Sequence, residues 1–294
     1  MRILFIGCVK SSRILLQKLI DMNESIVGVI TKKESKFNSD FNDLTDLCID
    51  NNIDYKFTRN INDVDSLEYI RSKTPDVIYC FGWSQIIKKE LMEIPPKGII
   101  GFHPTELPNN KGRHPIIWAL TLGLKNTASS FFFIDEGADT GDILSQCTVN
   151  ISYSDNAESL YNKIMDAAVI QMEKFTSELK NNNFNVIRQD NHEGNYWRKR
   201  SKLDGKIDWR MNSLNIYNLV RALSKPYIGA HFEYNNADYK VWKVEEVKNM
   251  NLNNIEFGKV IEVYSSNSFL IKVGDECIKV LQCDDINLKE GDYL

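Results

Sequence analysis

The chain has 294 residues, 43% of them hydrophobic, with a formal net charge of −4 and a sequence pI of about 5.7. That length suffices for one large domain plus a smaller one around ordinary cores, and the acidic balance weighs against a polyanionic partner, which would need a local basic patch. The six cysteines (Cys8, Cys48, Cys80, Cys147, Cys277 and Cys283) are dispersed without CxxC spacing, which points to buried thiols in a reducing compartment and to neither a disulfide framework nor a metal site.

Arg2 to Cys8 reads as a buried strand, Ser11 and Ser12 as a cap, and Ile14, Leu15, Leu19 and Ile20 as a helix face. The apolar run at the start is too short for a signal peptide, and no apolar stretch reaches the roughly eighteen residues of a membrane span, so a cytoplasmic protein is expected. A second strand, Ile26 to Thr31, completes a βαβ opening and predicts an α/β fold with a Rossmann-like parallel sheet. The first turn, Gly7 to Ser12, carries one glycine where GxGxxG would be needed, which argues against a nicotinamide cofactor. Lys32, Lys33 and Lys36 follow the second strand; they suit a diphosphate, or simply a solvated charge run. Next come predicted helices over Leu44 to Asn51 and Val64 to Ser72, with strands over Tyr55 to Thr58 and Asp76 to Phe81. Another helix is expected to start in the stretch from Phe81 to Ile87 and to run through Leu91.

The stretch from Gly98 to Leu144 organises the chain. A strand-like run, Gly98 to Phe102, delivers His103 into a loop broken by Pro104 and Pro108, which makes His103 the first candidate for a catalytic group. A helix from Arg113 to Leu122 has Pro115 in its first turn. Strands over Ser129 to Ile134 and Ile143 to Ile151 flank a turn rich in Gly and carboxylates, Asp135 to Asp142. If the strands Gly98 to Phe102 and Ser129 to Ile134 lie side by side, the loops that follow them sit at one sheet edge and Asp139 approaches His103. Asp135 and Asp142 suit turn and cap positions. A long helix, Ala157 to Asn181, closes a first domain of residues 1–190. Residues 191–228 read as a linker and a helix (Leu214 to Leu223), with aromatics and cations mixed in Asn195 to Arg200. Short alternating strands over 229–294 predict a small antiparallel, barrel-like module.

His103-Pro104, Leu107-Pro108, Lys111-Gly112, Pro115 and Asp139-Thr-Gly-Asp142 resemble the signature of formyltransferases that use N10-formyltetrahydrofolate, among them methionyl-tRNA formyltransferases and bacterial sugar N-formyltransferases. The likeness runs more weakly from Met1 to about Val247, and His103 to Pro115 in particular resembles the N-formyltransferases of pseudaminic acid biosynthesis. The resemblance implies N10-formyltetrahydrofolate as donor. Its pterin ring would meet backbone groups of the loop carrying Phe81, Trp83, Gln85, Ile86 and Ile87, with Asp135 and Gly137 also on the cofactor side. It also implies a nucleotide-linked 4-amino-4,6-dideoxy sugar as acceptor and suggests a homodimer; Lys10, Lys32, Phe41, Arg113 and Trp197 are the candidate contacts, expected in a pocket near the carboxyl ends of the strands. Formyl transfer needs a deprotonated amine, donors for a developing oxyanion and a proton for the leaving nitrogen; His103, oriented by Asp139, fits the proton-transfer role. One departure stands out. The family usually has Asn two residues before the His, where it helps to hold the oxyanion, and this chain has Gly101, so Asn110, a water or protonated His103 must take over that role, or activity is lost. Methionyl-tRNA as acceptor, or a non-catalytic folate or nucleotide-sugar binder, are the competing readings.

Overall fold

The computed structural model describes residues 1–34, 40–190 and 192–294; Lys36 of the cationic segment lies outside them. The chain divides into two units: Met1–Gly112, Thr127–Val149 and Lys163–Trp197 form the first, and Arg113–Asn126, Asn150–Asn162 and Arg198–Leu294 the second.

In chain order the elements are β1 (Ile3–Ile6), α1 (Lys10–Asp21), β2 (Ile26–Thr31), α2 (Thr45–Asp50), β3 (Tyr55–Phe57), α3 (Val64–Ser72), β4 (Val77–Cys80), α4 (Lys89–Met92), β5 (Ile99–His103), β6 (Lys111–Gly112), α5 (Pro115–Thr121), β7 (Asn126–Phe133), β8 (Ile143–Asn150), α6 (Ala157–Lys180), β9 (Tyr196–Trp197), α7 (Ser213–Leu223), β10 (Ala230–Tyr234), β11 (Ala237–Val247), β12 (Val260–Ser265), β13 (Ser268–Lys272) and β14 (Cys277–Cys283). Among the described residues the first unit holds a seven-stranded sheet in the order β3-β2-β1-β4-β5-β7-β8, parallel from β3 through β5. Its inner strands β1 and β4 are buried at every residue, as strands covered on both faces must be. Alternate side chains go to opposite faces. Leu4, Ile6, Ile78 and Cys80 join one aliphatic cluster, whereas Phe5, Tyr79, Phe81, Phe131 and Phe175 pack ring on ring.

Two expectations need correcting. β5 and β7 are neighbours but antiparallel, with Ile100 opposite Phe133 and His103 opposite Ser130, so the loops that follow them leave opposite ends of the pair. The helix between these strands, α5, belongs to the second unit; an antiparallel return requires no crossover helix. The second correction concerns the helix expected to begin near Phe81, which is a loop over 81–88 followed by the single turn of α4. The side chains of Gln85 and Asn62 explain it. Gln85 bridges Ile61 N–H and the Arg59 carbonyl, and Asn62 bridges Lys88 N–H and the Ile86 carbonyl, so side chains tie the loop to the 59–62 turn where a helix would have used its own backbone ladder.

In the second unit α5 and α7 pack together, and α7 also lies on β11. The five strands form an antiparallel sheet in the order β10-β11-β14-β13-β12. Asn235 and Asn236, both at positive φ (49° and 62°), make the tight β10–β11 turn, the conformation for which Asn is favoured. Trp209, Phe232 and Phe269 form its aromatic core. Five of the six thiols are buried and Cys147 is exposed, and none of the six is in a disulfide. Among the described residues no helix is long and apolar enough to cross a membrane.

Candidate active site

β5 ends on His103, whose side chain is buried at the edge of the first unit's sheet. The turn after it is fastened to β7 and β8: Thr127 Oγ1 donates to the Pro104 carbonyl (3.1 Å), Ser130 Oγ to that of Thr105 (2.5 Å), and Gln146 Nε2 to that of Leu107 (3.0 Å). Asn110 then takes a left-handed conformation (φ 64°) and turns its carbonyl towards His103 Nε2, 3.1 Å away. A carbonyl can only accept, so Nε2 carries the hydrogen and the lone pair of the neutral ring is on Nδ1.

Asp139 faces Nδ1. Although β7 ends beside the start of β5, residues 134–142 return along the sheet, and Asp139 Oδ2 lies 3.6 Å from His103 Nδ1. The same oxygen accepts the Gly112 N–H at 3.0 Å. The gap to Nδ1 exceeds a hydrogen bond but is within reach of a charge pair, so the carboxylate is aligned to stabilise an imidazolium. Asp135 Oδ1 takes Gly137 N–H (3.0 Å) and Thr140 Oγ1 (2.6 Å), so Asp135 serves the turn, as its residue type suggested.

The other expected site residues are distributed unevenly. Asn110 meets His103 through its main chain, not its amide. Phe81 is fully buried; its N–H donates to the Ile6 carbonyl and its own carbonyl accepts from Ser12 Oγ, so its main chain is engaged inside the fold. Ile87 is core, Ile86 is 76% exposed, and Gln85 holds the 59–61 turn as described. Trp83 is half-buried beneath the Lys32 ammonium, 4.7 Å from the ring centroid. Among the described residues its Nε1 is buried without a hydrogen-bond partner. Lys10 opens α1 and Phe41 pairs with Val9 beside it, so these two are brought together. Trp197 lies in β9, paired with Gly112, and so borders Asp139. That two-residue strand replaces the loop expected there.

Arg113 belongs to the second unit. There Arg198 and Arg200 stack on Trp118, with guanidinium carbons 5.3 and 4.6 Å from the ring centroid, and both bond to Asp204. Burial, and after it Arg113, Arg200 and Lys199, hold the neighbouring His114 below its ordinary pKa. Two residues with no sequence signal also touch the site: Gln189 donates to the carbonyls of Asp139 (3.1 Å) and Gly141 (2.6 Å), and Asn195 accepts the Asn110 N–H (3.0 Å).

A His–carboxylate pair at the edge of a Rossmann-like sheet is equipped to take up and return a proton. The chain belongs to the formyl transferase family: the Formyl transferase model matches residues 1–175, and the Formyl transferase C-terminal domain matches residues 199–290. It is 29% identical to the methionyl-tRNA formyltransferase of Clostridioides difficile strain 630, over 100% of this chain and 96% of that protein. Among solved structures it resembles the N-formyltransferase of Helicobacter canadensis in complex with folinic acid and dTDP-3-aminofucose (TM-score 0.74, 20% identity, 95% of this chain and 98% of that one). It also resembles WlaRD, a sugar 3N-formyl transferase solved with dTDP and 5-N-formyl-THF (TM-score 0.72, 23% identity, 96% and 97% coverage).

Proposed function

We propose that this formyltransferase moves the formyl group of N10-formyltetrahydrofolate to the amino group of a nucleotide-linked 4-amino-4,6-dideoxy sugar, in a pseudaminic acid-type pathway. The observation that carries the catalytic part is the His103–Asp139 pair, held by Asn110 on one side and Gly112 on the other. The 82–87 loop is the candidate for the donor: it is irregular backbone following β4 and carries the exposed Ile86, and main-chain N–H and C=O groups of such a loop suit a ring with an amide-like edge. When bound, the donor supplies the formyl carbon and a nitrogen that leaves once protonated. His103 Nδ1 takes the proton that the acceptor amine gives up as its nitrogen bonds the formyl carbon, and returns it to the departing N10. Asp139 stabilises the ring while it is charged.

The acceptor reading is supported by the second unit's electrostatics. Lys202–Asp238, Lys206–Glu233, Arg210–Asp208, Lys248–Glu246 and Lys279–Glu245 are ion pairs, so these five cations are each matched by a carboxylate, which weakens their attraction for a polyanion. The full-length likeness to a methionyl-tRNA formyltransferase favours the second reading, tRNA as acceptor. Assaying a panel of nucleotide-linked amino sugars and methionyl-tRNA with N10-formyltetrahydrofolate decides between them. His103→Asn and Asp139→Asn should each fold normally and lose on the order of 10²-fold or more in kcat with the best acceptor. Near wild-type turnover in either variant would remove that residue from the mechanism.

A further inference from the structure

Asn110 and Asp139, the residues that face the two ring nitrogens of His103, both take the left-handed conformation, with φ of 64° and 61°, which Asn and Asp adopt more readily than other residues with a side chain. The groups that hold these two turns in place come from one stretch after α6. Ile187 exchanges two backbone hydrogen bonds with Ile143, which clamps this stretch to the C-terminal side of the Asp139 turn. Gln189 Nε2 then donates to both carbonyls that flank Thr140, those of Asp139 and Gly141. Farther on, the Asn195 carbonyl accepts Lys111 N–H while its Oδ1 accepts Asn110 N–H, and β9 pairs with β6. The carbonyl that fixes the His103 tautomer is therefore aimed by Asn195, and the carboxylate opposite Nδ1 by Gln189.

We propose that Gln189 and Asn195 are positioning residues of the formyl-transfer reaction, holding the two halves of the His103–Asp139 pair in their working geometry. The inference rests on the catalytic reading of that pair. The chemistry of the two amides differs in a way that can be tested. Gln189 faces two carbonyls and must present its nitrogen; Asn195 faces an N–H and must present its oxygen. Exchange of amide for acid should therefore give opposite results: Asn195→Asp keeps its acceptor, whereas Gln189→Glu sets a carboxylate against two carbonyl oxygens.

Four variants, Gln189→Glu, Gln189→Lys, Asn195→Asp and Asn195→Leu, test this with the best acceptor from the panel. Gln189→Glu and Asn195→Leu should lose roughly 10-fold to 10²-fold in kcat with KM for both substrates changed less than about threefold, as expected for a small misplacement of reacting groups. Gln189→Lys, whose ammonium can donate to both carbonyls, and Asn195→Asp should stay within about threefold of wild type. A second readout needs no acceptor. The imidazole 15N shifts of His103, identified by their absence in His103→Asn, should report hydrogen on Nε2 in the wild type and Asn195→Asp, and a mixed tautomer in Asn195→Leu. Equal loss in all four variants, without rescue, would overturn the proposal in favour of simple loop stability; so would wild-type kcat in Gln189→Glu and Asn195→Leu. If His103→Asn and Asp139→Asn abolish turnover while those two retain it, this inference alone fails. Retained turnover in His103→Asn and Asp139→Asn would instead sink the catalytic reading beneath it.

Discussion

Gly101 shows how one missing side chain is absorbed by its neighbours. On β5 it shares a face with His103, two residues on, and across the sheet it stands opposite Phe132. A Cβ built on Gly101 would lie 2.8 Å from Phe132 Cζ and 3.1 Å from Ile134 Cγ1. Phe132 is 5% exposed and clusters with Leu107 and Ile143. The space beside His103 that a family Asn would occupy is therefore filled with hydrocarbon, and Gly101 is required by the ring that fills it. Restoring the amide in Gly101→Asn overpacks a closed site, at about 1–3 kcal/mol, and gives its polar group no partner. The expected result is a lower melting temperature and no gain in kcat. Adding Phe132→Ala to Gly101→Asn should recover part of the lost stability through positive coupling in a double-mutant cycle. A severalfold rise in kcat for Gly101→Asn alone would show instead that the native site lacks a donor and that the ring gives way easily.

Among the elements, the smallest pairing matters most to the site. Gly112 sits at φ 101° with the position of a Cβ only 2.5 Å from the Trp197 carbonyl, so β6 and β9 can approach only with glycine there, and its N–H is the one that holds Asp139. Gly112→Ala should break both contacts at once, with a drop of several degrees in melting temperature and a loss of roughly 10-fold or more in kcat; unchanged kinetics would mean that Asp139 is placed without this pairing. No local pattern announces such a contact. β1, β2 and α3 were legible because Ile3 to Ile6 is continuously apolar, Ile26 to Thr31 follows a clear helix, and Val64 to Ser72 carries its own cap in Asp63, which accepts from Ser66 N–H. His103 and Asp139 were legible for a related reason: each sits where an apolar strand gives way to a turn of Pro, Gly and carboxylates. The antiparallel sense of β5 and β7 was not legible, because an apolar run reads alike in either direction and only its partner decides. Gln189 and Asn195 lie as single amides in a polar stretch, where nothing in the local sequence separates a clamp from a solvated side chain. The 82–88 loop was misread as helix because the side chains of Asn62 and Gln85 close it through contacts distant in sequence.

For the molecule as a whole the open question is the acceptor, and charge gives the sharpest test. A tRNA is bound largely by neutralising phosphates, so affinity falls as a power of salt concentration set by the number of contacts. This chain carries a net charge of −4, and the second unit pairs many of its cations with carboxylates. Its densest cationic run, Arg198 to Arg200, does not stand open either: two of the three side chains lie on Trp118 and are tied to Asp204. A nucleotide sugar asks less of such a surface. Two phosphates and a stacked base can be met by a few side chains, of which Lys10 and Phe41 stand together at the start of α1. With a nucleotide-linked amino sugar, KM should therefore rise only shallowly between 50 and 300 mM salt, by roughly one power of concentration or less, and methionyl-tRNA should give no turnover; lowering the salt further should not rescue it. Formylation of methionyl-tRNA at a rate matching the best sugar, with KM climbing by about three or more powers of salt, would reverse the assignment.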